Sequence, residues 1–245
     1  MARRRQAEGK RRRQGRVGRA LAGAGAWMRR WLWRLGLSFA ALVVLLVSLF
    51  SFVNPPWGLY MIGEWRRLGS IERVWVPIER ISPHMLRSAV AAEDANFCLH
   101  SGFDMGAIRA AIDAGGARGA STISQQVVKN VYLWHGRSWA RKAMEAVLTP
   151  IVELLWSKRR LLEVYLNVAE FDTGVFGVEA AARHYFGVSA TDLTALQAAR
   201  LAALLPDPQN RSAAAPSDFV IRRAAAIMDG AATIARDGRA ACFGG

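Results

Sequence analysis

The chain has 245 residues, of which 52% are hydrophobic, and its formal net charge is +14. This length suits one medium domain with an appendage, and the apolar fraction argues against a purely soluble protein. Residues 1–34 carry twelve Lys/Arg and one acid, Glu8, whereas the rest of the chain is nearly balanced. The charge therefore belongs to an N-terminal tail, and it does not indicate a nucleic-acid-binding domain.

An uncharged apolar stretch directly follows this basic tail. Residues 35–53, LGLSFAALVVLLVSLFSFV, form a helix long enough for a bilayer's hydrocarbon core at about 1.5 Å rise per residue. A soluble helix would show a polar face, and no A-x-A cleavage pattern follows the stretch. The sequence therefore predicts a single transmembrane helix rather than a buried helix or a cleaved signal peptide.

The flanks of the predicted span indicate its orientation. Under the positive-inside rule, residues 1–34 form a cytoplasmic tail in contact with anionic lipid, so nucleic acid is not an expected partner. The rest of the chain then lies outside this membrane, in the periplasm if the cell has an outer membrane. Aromatic residues suit both interfacial belts, namely Trp27, Trp31 and Trp33 before the span and Trp57, Tyr60 and Trp65 after it.

Beyond the span, the pattern predicts a connector over residues 54–70 and a mainly α-helical domain over residues 71–245. Asn54-Pro55-Pro56 ends the membrane helix, and IERVWVPIERI alternates like a short strand. Little other sheet is expected, since EFDTGVFG is interpreted as a loop. Predicted helices begin after Ser82-Pro83, Asp104, Ser121 and Ser138, the last disturbed at Pro150, and others cover residues 158–168, 177–186, 191–204 and 217–236.

Cys98 and Cys242 are the only cysteines, and no Cys/His spacing typical of a metal site occurs. A disulfide between them is chemically allowed in an oxidising compartment. A domain of this size can build a core without one, so we favour two free thiols and leave the pairing open.

The stretch AAEDANFCLHSGFD places Glu93 and Asp94 at the end of an apolar helix face. A carboxylate at a helix C-terminus faces the negative end of the helix dipole, which raises its pKa and suits a proton acceptor. Taken alone, the stretch is interpreted more simply as a solvated helix end. His100 then acts as a structural hydrogen-bond partner and Asp104 as a helix cap.

Two further stretches gather polar and basic groups. In GASTISQQVVKN, a loop leads into a helix N-terminus, which binds anions through free N–H groups, although a polar outer face explains the pattern equally well. In RKAMEAVLTPIVE, Arg141 and Glu145 stand four residues apart with Lys142 adjacent. They form either a surface ion pair or a clamp on an anionic leaving group.

A fourth stretch, KRRLLEVYLNVAEFDTGVFGVEAAARHYFG, supplies apolar and aromatic residues typical of a core or a cleft wall. The four stretches in this order resemble the peptidoglycan glycosyltransferases of glycosyltransferase family 51. The resemblance runs from about Pro77 to Pro208. The chain ends soon afterwards, without room for the transpeptidase domain of bifunctional relatives, so a monofunctional enzyme is expected.

The resemblance implies a lysozyme-like helical domain that follows a single N-terminal transmembrane helix. It also implies two lipid-linked substrates: a growing glycan on undecaprenyl pyrophosphate as donor, and lipid II as acceptor. Glu93 would be the general base that takes a proton from the GlcNAc 4-hydroxyl of lipid II, giving a β-1,4 bond with inversion. Other expected partners are the membrane and proteins of the cell-division or elongation machinery.

The same resemblance assigns a second polar cluster to the donor pyrophosphate. Lys129 and Arg141 would hold it, and cations placed there stabilise the negative charge of the leaving group. Glu145 would be a second catalytic carboxylate that positions the pyrophosphate or a divalent cation, Mg²⁺ or Mn²⁺; no organic cofactor is expected. The remaining site residues are Gln126 in the same cluster, Asn130 and Lys142 in support, and Ser121, Thr122 and Asp94 in contact with substrate or shaping the site.

Two other functions fit parts of the pattern. A hydrolase or lytic transglycosylase acting on finished glycan would share the fold and Glu93. It would need neither the pyrophosphate cluster nor a membrane span. A non-catalytic scaffold of the cell-wall machinery would need neither Glu93 nor Lys129, and the chain has both.

Overall fold

The computed structural model describes residues 27–115, 119–136 and 138–244. Most of the predicted basic tail, residues 1–26, lies outside the described residues. The chain divides into two compact units, Met1–Val47 and Ser48–Gly245.

Helix α1, Trp27–Phe50, is long and apolar enough to cross a membrane, with a hydropathy of 2.1 and 24 residues. It contains most of the predicted span, but it begins at Trp27 rather than at residue 35 and ends at Phe50 rather than at Val53. Pro55 and Pro56 explain the earlier end, because they lack the N–H groups that would bond the carbonyls one turn before them.

The predicted connector contains a helix, α2, Leu59–Leu68. It lies between two glycines: Gly69 ends it in a left-handed conformation at φ 81°, and Gly58 allows a close approach to the helix Ile123–Tyr132, α5. A Cβ at Gly58 would lie 2.1 Å from the carbonyl oxygen of Asn130. The predicted connector over residues 54–70 thus contains a helix that the sequence analysis did not identify, and its packing against α5 stabilises it.

The rest of the described chain is mainly helical, as predicted. Ser82, Asp104 and Ser138 cap α3, α4 and α6 through their side chains, in agreement with the sequence signals. Helix α6 continues across Pro150 without the predicted disturbance. The helices are α3 Pro83–Glu93, α4 Met105–Asp113, α5 Ile123–Tyr132, α6 Trp139–Leu155, α7 Lys158–Val168, α8 Val178–Phe186, α9 Ala195–Leu204 and α10 Asp218–Arg236.

A small sheet of three strands, β1 Glu72–Arg73, β2 Glu170–Asp172 and β3 Val175–Phe176, has the order β1-β3-β2. The predicted strand near residue 75 is therefore shorter than expected. EFDTGVFG is a hairpin instead of the predicted loop, with β2 antiparallel and β1 parallel to β3. Pairing with a strand about a hundred residues earlier makes this segment regular, and sequence alternation over so few residues does not reveal it.

Two packed groups of helices bring the polar stretches together. Helices α3, α9 and α10 pack on one another, and α5 packs against α6 and α7. The approach of α10 to α3 is close at Gly230, where a Cβ would lie 3.2 Å from that of Ala91. The C-terminal end of α3 and the N-terminal end of α5 meet between these groups, and the candidate site lies there.

Cys98 and Cys242 form a disulfide with an S–S distance of 2.03 Å and a Cα–Cα distance of 5.6 Å. The expectation of two free thiols was wrong. The domain is large enough to build a core without this bond. The buried side chain of Phe243 nevertheless packs against Phe97, and this contact brings the two cysteines together.

Candidate active site

Glu93, the last residue of α3, has a side chain that is only 11% exposed. Gln126 Nε2 donates to its Oε2 at 2.8 Å, and Arg223 Nη2 lies 4.0 Å from its Oε1. Burial raises the pKa of Glu93, while Gln126, Arg223 and Lys129 act in the opposite direction. Burial, rather than the helix dipole alone, thus prepares this carboxylate to accept a proton.

Asp94 joins the end of α3 to the start of α5. Its Oδ1 accepts a hydrogen bond from His100 Nε2 at 2.8 Å, and its Oδ2 accepts one from the backbone N–H of Ile123 at 3.0 Å. Because both oxygens are engaged by donors within the protein, Asp94 is placed to position the site rather than to bind substrate. His100 has the structural role that the sequence favoured.

Gln126 lies beside Glu93 and also lines a cavity together with Lys129, a member of the cluster to which the resemblance assigned it. Its Nε2 donates to Glu93, and its Oε1 accepts from the hydroxyl of Tyr165 at 3.5 Å. Tyr165 is 1% exposed, so this side of Gln126 is held by the core. The amide is therefore oriented to hold one oxygen of the carboxylate in place.

Glu145 is the centre of the second cluster and is only 3% exposed. Arg141 Nη1 donates to its Oε2 at 2.8 Å, and Gln125 Nε2 donates to its Oε1 at 3.3 Å. Lys142 Nζ also bonds Oε1. The pair of Arg141 and Glu145 is thus not a plain surface ion pair, because the carboxylate is buried and holds two cations in place.

Lys129 lies near both clusters. Burial lowers its pKa; Glu145 and Glu93 raise it, and Arg141 and Lys142 lower it. Within the part of the chain that the structure describes, its ammonium group makes no hydrogen bond. A cation that is partly desolvated and unsatisfied is suited to bind an anion.

Two cavities open beside the hydrogen-bonded pair of Glu93 and Gln126, each lined by one of the two residues. One, of about 250 Å³, is lined by Gln126, Lys129 and Asn130, and the Oδ1 of Asn130 is buried there without a hydrogen-bond partner among the described residues. The other, of about 270 Å³, is lined by Glu93 and Ser121 among others. Two cavities lined by the two partners of one hydrogen bond can serve a reaction between two substrates.

The cap of α5 is Thr122, not the predicted Ser121. Thr122 Oγ1 accepts from the backbone N–H of Gln125 at 3.3 Å and donates to the carbonyl of Gly102 at 2.7 Å. Gln125 completes a capping box by accepting from the Thr122 N–H at 3.1 Å. Thr122 is therefore structural, whereas Ser121 is exposed and receives a bond from Lys142 at 3.4 Å.

The donor set around Glu145 does not fit a divalent cation held by the protein. Both carboxylate oxygens already accept hydrogen bonds from Arg141, Lys142 and Gln125. Across residues 27–115, 119–136 and 138–244, no group of three or more His, Cys, Asp or Glu side chains is arranged to hold a metal. The groups of this cluster that could bind an anion are therefore its basic side chains.

Arg223 is a site residue that the sequence analysis missed. It lies on α10, donates to the carbonyl of Ala92 at 3.4 Å, and places positive charge near Glu93. The double arginine in FVIRRAAAI is unusual on an otherwise apolar helix, but no spacing relates it to Glu93. Only the packing of α10 against α3 brings the two together.

Comparison with known proteins gives the family of this chain. Residues 61–232 match the sequence model of the family described as Transglycosylase. A biosynthetic peptidoglycan transglycosylase of Jannaschia sp. (strain CCS1) is 62% identical over 216 residues, which cover 88% of this chain and 90% of that protein. Proteins of the same description from Rhodospirillum centenum and Pseudomonas fluorescens are 47% and 49% identical, covering 87% and 82% of this chain and 96% and 88% of their own. The chain belongs to the transglycosylase family.

Proposed function

We propose that this protein polymerises the glycan strands of peptidoglycan, moving the growing glycan from its undecaprenyl-pyrophosphate carrier onto the GlcNAc 4-hydroxyl of lipid II. The observation that carries the proposal is the Lys129 ammonium, which has no hydrogen-bond partner among the described residues and lies close enough to both Glu93 and the Glu145 cluster to feel their charges. Such a site can accept a proton at one end and receive a pyrophosphate at the other.

The reaction follows from these groups. Ionised Glu93 takes the proton of the acceptor hydroxyl, and Gln126 keeps the carboxylate aimed while it does so. The acceptor oxygen attacks the donor's anomeric carbon as the bond to pyrophosphate breaks on the opposite face, which inverts the configuration and gives a β-1,4 link. The raised pKa of Glu93 makes it a stronger base than an exposed glutamate.

Departure of the pyrophosphate places negative charge at the second cluster. Lys129 and Arg141 stabilise that charge in the transition state, and Glu145 positions Arg141 and Lys142 for this task. Asn130 supports the same cavity. The leaving group needs no general acid, so one base and a set of cations suffice.

The cations distinguish this proposal from a hydrolase of finished glycan. A hydrolase of the same fold would use Glu93 but would have no anionic leaving group to bind. The arrangement of Lys129, Arg141 and Lys142 around one buried carboxylate, Glu145, favours a pyrophosphate-linked donor.

We further propose that α1 spans the bacterial inner membrane once, with the N-terminus in the cytoplasm and the catalytic domain in the periplasm. The hydropathy of α1 and the basic residues 1–34 support this placement. The disulfide between Cys98 and Cys242 supports an oxidising compartment. Division or elongation proteins would be the partners there, which co-purification from the membrane fraction would test.

Labelled lipid II provides the direct test. The purified protein in detergent should convert it into long glycan chains that lysozyme degrades, and Glu93→Gln should make none. Absence of polymer across a series of detergents, with and without Mg²⁺ or Mn²⁺, would refute the proposal. Degradation of finished glycan in the same preparation would identify the hydrolase instead.

A further inference from the structure

The C-terminal segment, residues 237–244, lies against the residues that directly follow the base. Arg239 Nη1 donates to the carbonyl of Ala95 at 3.1 Å, and Cys242 is bonded to Cys98. The ring of Phe243, 1% exposed, lies 6.3 Å from that of Phe97. A hydrogen bond, a disulfide and a ring contact thus hold one short segment, residues 95–98.

The first turn of helix α7 contacts both Phe243 and Phe97. Arg159 Nη1 donates to the carbonyl of Phe243 at 2.9 Å, and Lys158 Nζ lies 4.5 Å from the centre of the Phe97 ring. Both cations come from the first turn of α7, whose remaining residues are largely buried in the core. Helix α7, which is anchored in the core, therefore helps to hold Phe243 and Phe97 in place.

Three hydrogen bonds, joined by short stretches of backbone, connect this segment to the base. His100, two residues after this segment, donates to Asp94 at 2.8 Å, and Asp94 accepts from the N–H of Ile123 at 3.0 Å. Ile123 begins the helix that carries Gln126, and Gln126 holds Glu93 at 2.8 Å. Any movement of residues 95–100 would change where the two carboxylates lie relative to α5.

We propose that residues 237–244 act as a clamp that positions Glu93 for catalysis, and that reduction of the disulfide between Cys98 and Cys242 lowers turnover by releasing the clamp. The proposal rests on the function of Glu93 given above. Arg239, Cys242 and Phe243 are positioning residues, since they act through residues 94–100 and do not reach the reacting atoms. A misplacement of about 1 Å in a catalytic group can cost on the order of a hundredfold in rate.

A small dithiol can reach this disulfide, because both cysteines are partly exposed. Dithiothreitol supplies two electrons and two protons: the bond between the sulfurs breaks, two thiols form, and the reagent closes into its own cyclic disulfide. Reduction therefore leaves every side chain of the site unchanged and alters only the clamp.

The experiment compares the oxidised and reduced full-length protein in detergent with labelled lipid II. Mass spectrometry after thiol alkylation confirms two free thiols, and circular dichroism confirms that the helices remain. We expect kcat to fall on the order of tenfold with KM little changed, and reoxidation to restore it. The double variant Cys98→Ser with Cys242→Ser should have the kcat of the reduced protein, and dithiothreitol should not change it.

Arg239→Ala tests the clamp with the disulfide intact, since it removes the bond to Ala95 together with the local ion pair to Asp237. It should lower kcat by a few fold, whereas Arg236→Ala, which loses only a contact to the exposed Thr233, should not. This variant decides the matter if reduction unfolds the protein.

An unchanged kcat in the folded, fully reduced protein, or in Arg239→Ala where reduction unfolds the chain, would overturn the clamp while leaving the polymerase function intact. A rise in KM with unchanged kcat would also overturn it, because it would place the effect on substrate binding. Absence of polymer from the oxidised wild-type protein would instead overturn the function itself.

Discussion

Replacing Gln126 with Met would remove the amide that aims the base while leaving a side chain of similar length. In the structure, Gln126 Nε2 donates to Glu93 Oε2 at 2.8 Å, and this hydrogen bond lowers the pKa of Glu93 against the raising effect of burial. The substitution therefore changes two properties of Glu93 at once: its orientation and its proton affinity.

The size of the effect follows from the kind of bond. A hydrogen bond from a neutral amide to a carboxylate contributes about 1.5–3 kcal/mol. If the transition state needs the aimed carboxylate, loss of the bond should lower kcat/KM by about 10- to 150-fold, at about 1.4 kcal/mol per factor of ten. Because Glu93 must be ionised to accept a proton, its higher pKa should move the acidic limb of the pH profile to higher pH.

Initial rates of lipid II polymerisation measured across pH would test both expectations. Gln125→Met is the matched control, since Gln125 is the adjacent residue but bonds Glu145 rather than Glu93. Its acidic limb should coincide with that of the wild type even if its rate falls. A wild-type acidic limb and rate in Gln126→Met would refute the assignment of Gln126 as the residue that holds the base.

Three further predictions concern the carboxylates and the disulfide. Glu93→Gln should abolish polymerisation yet unfold at a higher temperature than the wild type at neutral pH, because burial raises the pKa of Glu93 and its ionisation therefore costs folding free energy. The difference in unfolding temperature should vanish as the pH falls below 4.5, the ordinary pKa of a glutamate. Glu145→Gln should lower the rate of polymerisation by about tenfold or more, since Arg141 loses its charged partner. Wild-type turnover in this variant would mean that Arg141 and Glu145 form only an ion pair without a role in catalysis. Cys98→Ser with Cys242→Ser should lower the free energy of unfolding by about 2–5 kcal/mol, because the bond closes a loop of sequence separation 144; equal denaturant midpoints would contradict this.

Local signals predicted the beginnings of several helices. A capping side chain bonds an N–H group within three residues, so Ser82, Asp104 and Ser138 could be read from the sequence without knowledge of the fold. The same reasoning chose Ser121 for α5 where Thr122 caps it, because two adjacent hydroxyl residues are locally equivalent. The bond from Thr122 to the carbonyl of Gly102 distinguishes them, and it depends on the fold.

Segments whose structure depends on distant partners were predicted poorly. Helix α2 is supported by its contact with α5, and the hairpin at residues 170–176 by its pairing with β1. The disulfide belongs to the same class. Its formation depends on how Phe243 packs against Phe97, which neither the number nor the spacing of the cysteines can tell.

The sequence by itself determined which chemical groups this protein has: a carboxylate at Glu93, cations at Lys129 and Arg141, and before them an apolar helix long enough to cross a membrane. Their order along the chain was enough to place the protein among transglycosylases. Only the tertiary structure decided which groups act on which, since it gave Gln126 to Glu93, Gln125 to Glu145, and Arg223 a place beside the base. The physical reason is the short range of hydrogen bonds, about 3 Å, which makes each pairing depend on how helices far apart in sequence pack.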